Sequence, residues 1–552
     1  MADKLTQAYD GGFRLRRIFG WPLVTLCVAG LVLLPIAAVL WLAAFPEAPI
    51  WGHLWNTTLP RYLRNTAILA LGVGLICACV GTGAAWLVTV YRFPGRGWLQ
   101  WALFLPLAVP AYVGAYALVD LFEYAGPVQT GLRGLMGYTN AQDYSFPQIR
   151  SRGGAIIVIA ASLFPYVYLL ARAAFREQSG RMLEVARALG AGPLARFWRV
   201  GVPLARPAIV AGSAIVMMET VADFGVVDFF AVQTLTTGIF SQWLEGGNPG
   251  GAAQIACLIL LVVAVLVSLE RFARRGSRYH RAGQSTQQVV PEDLKGLAGW
   301  LAFAACLLPF AIGFCLPAGV MAYHSIAEVD SWLAPGLTRA ALNTVITGAS
   351  ASVLTVMSAL ALVYGAKLAK GRAAARILPL TTIGYAAPGA VLGLGVLIPL
   401  AAFDNALADT VLAVTGWDPG LILTGGAAAL VYAYCVRFFA IGQGAVEGAL
   451  GRIAPSLPMA ARTLGQGPTQ TLRRVYLPLI RGSVGTALLL VFVDCVKELP
   501  ATLLLRPFNY NTLATRVYEQ ASLERLTEAA PAALIVTTVG LFAVILLARA
   551  NR

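Results

Sequence analysis

Apolar runs of about 20 residues recur along the whole chain, separated by short polar connections rich in Gly and Pro. That length matches the hydrocarbon thickness of a bilayer, and a soluble core has no use for so many such runs. Twelve spans are predicted, at roughly 21–44, 65–91, 98–121, 154–175, 205–225, 251–270, 299–322, 343–366, 377–402, 421–441, 480–497 and 530–548. The fold class expected is an all-α polytopic membrane protein with about 12 transmembrane helices, six in each half.

The halves repeat each other. Over residues 184–206 and 459–481, a 275-residue offset, eleven positions are identical: Ala186/Ala461, Arg187/Arg462, Leu189/Leu464, Gly190/Gly465, Gly192/Gly467, Pro193/Pro468, Arg199/Arg474, Val200/Val475, Pro203/Pro478, Leu204/Leu479 and Arg206/Arg481. Similarity continues outside this stretch at an offset of 278, in Asn65-Thr66/Asn343-Thr344, Pro110/Pro388 and Thr234-Leu-x-Thr237/Thr512-Leu-x-Thr515. The expected organisation is a first repeat over 1–270, a linker over 271–298 and a second repeat over 299–552. Six spans return each repeat to the side where it began. The repeats are therefore parallel, related by a pseudo-two-fold axis along the membrane normal, with a pathway expected at their interface.

Charge sets the expected orientation. Most of the 41 Lys and Arg fall at the termini and in even-numbered loops, whereas most of the 26 Asp and Glu fall elsewhere. The positive-inside rule then puts both termini in the cytoplasm. The pI of 9.6 is thus a topology signal, and no loop is long enough to form a basic face for nucleic acid. The first apolar run, preceded by Lys4, Arg14, Arg16 and Arg17, is too long for a signal peptide and reads as an uncleaved first span. The eight Cys show no metal-ligand spacing and read as small buried hydrophobes, and the three His are isolated. Neither a catalytic site nor a bound cofactor is expected.

The repeated stretch has its own local logic. A short helical segment runs into Gly-x-Gly-Pro, followed by a second segment containing Arg. Glycine permits a reversal at positive φ, and proline starts the next helix. The prediction is a helix–turn–helix knob presenting Arg196, Arg199, Arg473 and Arg474. A plain interfacial helix on anionic lipid would suit the arginines but would leave Gly-x-Gly-Pro and its repetition without a reason.

Glu184-Val-Ala186, then Gly190, then Val200-x-Val202-Pro203 resembles the EAA loop of binding-protein-dependent ABC importer permeases, whose fold is MetI-like. The second copy fits as Met459-Ala-Ala461, Gly465, Val475-x-Leu477-Pro478, with Met459 in place of the usual Glu. The resemblance implies that Glu184, Ala186, Arg187, Gly190, Gly192 and Pro203, with Ala461, Arg462, Gly465, Gly467 and Pro478, form coupling helices. These would dock into clefts on two copies of a cytoplasmic ABC ATPase. It also implies an extracytoplasmic substrate-binding protein and a bacterial inner-membrane location. The chain has no Gly-x-x-x-x-Gly-Lys-Ser/Thr, so ATP is expected on the partner subunits.

Two carboxylate pairs, Glu219 with Asp223 and Asp494 with Glu498, occupy matching places near the ends of the fifth and eleventh spans. Spacing of i, i+4 sets each pair on one helix face, and acids within a membrane normally line a cavity, find a partner or serve function. Four such groups around a pathway would attract a hard cation such as ferric iron. The plainer alternative is local pairing, for instance with Lys497 or Arg506, or the shaping of a gate.

Met218–Gly225 with Thr236–Phe240, and Lys497–Pro507 with Asn511–Thr515, resemble the fused ferric-iron importer permeases. Ferric iron is the substrate this resemblance implies; thiamine, polyamine, sulfate or phosphonate are the alternatives carried by related permeases. A reading of another class is a secondary transporter driven by an ion gradient. It accounts for the parallel repeat and the acids but not for the paired loops.

Overall fold

The computed structural model describes residues 20–46, 50–177, 180–275, 291–369, 372–382, 384 and 387–550. The basic N-terminal residues Lys4 to Arg17 and residues 276–290 of the expected linker lie outside the described residues. Among the described residues, ten helices are long and apolar enough to cross a membrane, and two bent pairs raise the number to as many as twelve. The chain is an all-α polytopic membrane protein. Its described strands are two residues long and form a parallel ladder, Tyr91 with Glu292 and Arg92 with Asp293.

Each of the twelve predicted runs has a helical counterpart; the tenth, expected at 421–441, lies at 428–451 with a 50° bend, and two other boundaries move for a reason the sequence carries. The third span is broken: Arg96–Ala108 meets Ala111–Met136 at 95°. Pro110 lies at the break, at φ −58° and ψ 139°, as N-cap of Ala111–Phe122. Its repeat counterpart Pro388 caps Gly389–Thr415 in the same way. The ninth span therefore starts at 389 instead of 377, and Arg372–Thr381 forms a separate helix before it. A proline has no N–H to give a preceding turn, and it biases the residue before it away from helical backbone.

The chain divides into two compact units that do not follow the repeat boundaries. One holds the described residues of 49–246, 258–337 and 513–552; the other holds those of 1–48, 247–257 and 338–512. The first span of each repeat thus belongs to the unit built on the other repeat's central helices.

In the unit containing 49–246, helices Leu59–Val90, Arg152–Glu177 and Val202–Ala222 pack against one another. Glycine makes the approach close. A Cβ added at Gly81 would sit 2.8 Å from Val167 Cβ, and one at Gly212 would sit 2.8 Å from Val167 Cα. Small residues at helix crossings are the usual device where lipid removes the hydrophobic drive for helices to associate. In the unit containing 338–512, Trp21–Ala44 packs on Gly389–Thr415, with Gly395 so close that a Cβ would fall 2.3 Å from the Pro35 carbonyl oxygen.

Large apolar side chains such as Leu26, Leu71, Leu75 and Leu261 remain exposed on the helices. Lipid is the solvent such faces require. Cysteine follows the same division: Cys77, Cys306 and Cys495 are buried as expected, whereas Cys27, Cys79 and Cys315 lie on exposed faces. A thiol is apolar enough for either place.

Candidate functional site

The two repeated loops share one backbone. In the first, helix Gly180–Ala188 ends in a turn where Gly190 N–H donates to the Arg187 carbonyl (2.9 Å) and Ala191 N–H to the Ala186 carbonyl (2.9 Å). In the second, helix Ser456–Thr463 ends with Gly465 N–H on the Arg462 carbonyl (3.0 Å) and Gln466 N–H on the Ala461 carbonyl (3.0 Å). This pair of bonds is the Schellman motif, which satisfies carbonyls a helix end would leave orphaned. It needs left-handed backbone at the residue after the helix. Gly190 has φ +80° and Gly465 φ +78°. Nothing lies within 4 Å of a Cβ at either position, so backbone conformation, not crowding, demands glycine.

The following residues restart the chain. Gly192 and Gly467 are extended N-caps, and Pro193 and Pro468 open the short helices Pro193–Arg196 and Pro468–Thr471. Each passes through a π-helical turn, Phe197–Gly201 or Leu472–Tyr476, into the long helix Val202–Ala222 or Leu477–Val496. Pro203 and Pro478 lie in the first turns of those helices, where a missing N–H costs nothing.

The knobs present apolar surface outside the long helices they precede. Leu189 is 82% exposed and its counterpart Leu464 79%. Val185 and Leu194 on the first loop and Leu457 and Met459 on the second are also exposed, as is Glu184. Exposed apolar groups gathered at a rigid turn mark an interaction surface.

The two loops are fastened differently. Arg196, expected on the surface of the knob, is instead almost fully buried, because it donates through both terminal nitrogens to the Glu292 carboxylate; Arg187 adds a second guanidinium at 3.4 Å. Glu292 belongs to the ladder beside Tyr91, and Leu294 N–H closes it on the Arg92 carbonyl (2.8 Å). The Arg196 hydrogen bonds, with the charges of both arginines, hold the Glu292 carboxyl below its usual range against the opposing effect of burial.

At the second loop Thr471 stands where Arg196 does, its hydroxyl on the Gly467 carbonyl at 3.0 Å. The fastening there is aromatic. Tyr364 hydroxyl donates to the Pro468 carbonyl (2.6 Å), and Trp21 stacks edge-on against Tyr364 (4.9 Å) while its Nε1 reaches Thr469 Oγ1 (3.4 Å). Tyr364 is the repeat counterpart of Trp86, and Tyr476 that of Gly201. The volumes compensate: Trp86 fills the space over Gly201, where a Cβ would lie 2.4 Å from the indole, whereas Tyr364 and Tyr476 share that space at 5.5 Å. Glu292 escaped the sequence reading, which treated the linker only as a basic joint; the acidic pair Glu292-Asp293 beyond the arginines was the available signal.

The four candidate pathway acids have specific local geometry. Asp223 accepts from Val226 N–H (3.0 Å) and Val227 N–H (3.3 Å), capping helix Gly225–Phe229. Glu498 does the same for helix Pro500–Leu505, accepting from Ala501 and Thr502 N–H, both at 3.3 Å, and it pairs with Arg437 at 3.4 Å. Asp494 pairs with Lys497 at 2.8 Å, the local partner anticipated by the plainer reading. Glu219, one turn before Asp223, is half-buried. The first pair belongs to one compact unit and the second to the other. Among the described residues, no group of three or more His, Cys, Asp or Glu is placed to hold a metal ion.

A family model of the inner-membrane component of binding-protein-dependent transport systems matches residues 70–278. The Fe(3+)-transport system permease protein FbpB 2 of Haemophilus influenzae is 26% identical over 87% of this chain and 88% of its own. Residues 70–278 thus carry the inner-membrane component of binding-protein-dependent transport systems, and the chain is similar along most of its length to a permease of such a system. A probable ABC transporter permease protein, y4fN of Sinorhizobium fredii, matches this permease at 23% identity over 97% of both chains. The sulfate transport system permease protein CysT of Salmonella typhimurium is 28% identical over 95% of its own length but only 48% of the fused permease, as one repeat against two requires.

Proposed function

We propose that this permease moves ferric iron from an extracytoplasmic binding protein into the cytoplasm, powered by two copies of a separate ATPase that grip its two repeated loops. The single observation that carries the coupling is the duplicated Schellman turn with Leu189 and Leu464 exposed beside it. Each knob continues through one short helix and a π turn into a long helix. A push on the knob is thereby delivered to the membrane, provided the turn is rigid. Iron is favoured by the likeness to the Fe(3+) permease along most of both chains, and hard oxygen ligands suit that ion.

Asp223 and Glu498 hold helix caps, so the acids one turn before them, Glu219 and Asp494, are the pair to test against a passing cation, Asp494 in competition with its Lys497 partner. Conservative replacement of both, Glu219→Gln with Asp494→Asn, should lower iron uptake several-fold while assembly with the ATPase persists. A second reading, the same role for an oxyanion, rests on the sulfate permease likeness.

Proteoliposomes containing the permease, its ATPase and its binding protein distinguish the two. ATP-dependent uptake of labelled ferric iron that requires the binding protein supports the proposal. ATP-dependent sulfate uptake without iron uptake would transfer the role to the second reading, and uptake driven by an ion gradient alone would defeat both.

A further inference from the structure

Where helix Leu59–Val90 ends, a cavity of about 240 Å³ is lined by Val88, Thr89, Arg96, Gln100, Arg172, Arg176 and Pro291. Three guanidiniums meet there, and no Asp or Glu is among the lining residues. Two of them are fixed in place. Arg96 Nε donates to the Val88 carbonyl (2.7 Å), and Arg172 donates to Gln100 Oε1 (2.9 Å) while its central carbon lies over the rings of Trp101 (5.2 Å) and Phe104 (5.6 Å). Arg172 is 91% buried by its 9% exposure. Like charges held this close at the edge of a low-dielectric region repel one another, and an anion relieves that repulsion.

A second, independent feature points the same way. The Thr89 hydroxyl lines the cavity, is buried, and has no hydrogen-bond partner among the described residues, which is costly unless a ligand supplies one.

We infer that this cavity binds a phosphate group. Phosphate oxygens match the fork of an arginine, accept from several donors at once and would also satisfy the Thr89 hydroxyl. The site belongs to one repeat alone, because at the offset of 278 Thr89 and Arg96 correspond to Lys367 and Ala374. Pro291 ties it to function. It immediately precedes Glu292, the acid that fastens the first loop. Occupancy therefore bears on how firmly that loop is held, whether the phosphate is the headgroup of an anionic lipid or a free ion.

The test uses the purified full-length chain in detergent, following its thermal unfolding midpoint against short-chain phosphatidylglycerol or inorganic phosphate at ionic strength held constant with chloride. A saturable rise is expected. Arg176→Gln, at the exposed edge, should weaken the apparent affinity about tenfold, as loss of a charged hydrogen bond implies. Thr89→Val should weaken it several-fold. Lys295→Gln removes a nearby charge that does not line the cavity and should leave the response intact. Saturation by phosphatidylglycerol alone assigns the site to lipid, and saturation by inorganic phosphate assigns it to the free anion. No saturable rise with either, or equal responses in the Arg176 and Lys295 variants, would overturn the inference.

Discussion

The first and second loops have the same backbone and different fastenings. Both use a left-handed glycine, an extended glycine and a helix-opening proline, with turn hydrogen bonds that agree within 0.1 Å. Beneath that, the first is held by a buried arginine on the carboxylate of the inter-repeat segment, and the second by Trp21 and Tyr364. After duplication, the exposed turn kept its shape, while the part that faces the rest of the chain was free to find new contacts. Identity between the copies thus separates the presented surface from its support.

The largest effect should come from breaking what the loops share. Gly190→Val with Gly465→Val forces β-branched residues into left-handed backbone, a cost of about 1–2 kcal/mol at each turn before branching is counted. ATP-driven uptake should vanish while the protein remains in the membrane, as uptake assays and membrane fractionation will show. Next is the packing difference. Gly201→Tyr, which imports the residue of the second loop, should overpack Trp86 and destabilise the first unit by about 1–3 kcal/mol. Adding Trp86→Tyr, the other half of the second loop's pair, should recover most of the loss in thermal unfolding.

A smaller effect is expected at the ion pair. Glu292→Gln should loosen residues 291–295, with the Leu294 amide exchanging faster with deuterium, and leave the second loop's turn protected. Because the folded carboxyl lies below its unfolded range, its contribution is present above the unfolded value of about 4.3 and lost as pH falls through the folded value. Exchange at Leu294 should therefore be unaffected by titration near neutrality and rise only in acid. The smallest effect is Tyr364→Phe, which removes one hydrogen bond to Pro468 and should cost about 0.5–1.5 kcal/mol, read as faster exchange in the second loop alone.

Much of this was legible beforehand because membranes and tight turns constrain sequence severely. Twelve apolar runs announced the helices, and Gly190, Gly192 and Pro193 announced the turn, since few other residues adopt that backbone. Pro110 and Pro388 even marked where one span breaks and another begins, although hydropathy alone ran past them. What sequence could not show was long-range partnership. Arg196 and Glu292 lie 96 residues apart, and nothing local in either distinguishes a pair from two solvated charges. Nor could it show that Asp223 and Glu498 are helix caps, because a capping acid and a pathway acid read alike until the next helix is placed. Assignment of each first span to the unit built on the other repeat was equally hidden, as an apolar stripe does not name its neighbour.

The most direct test of the account is the number of ATPase subunits retained per chain when the wild type, Gly190→Val and Gly465→Val are purified in detergent with their ATPase. The account predicts two for the wild type and one for each single variant. Two retained by every variant, with uptake undiminished, would contradict it.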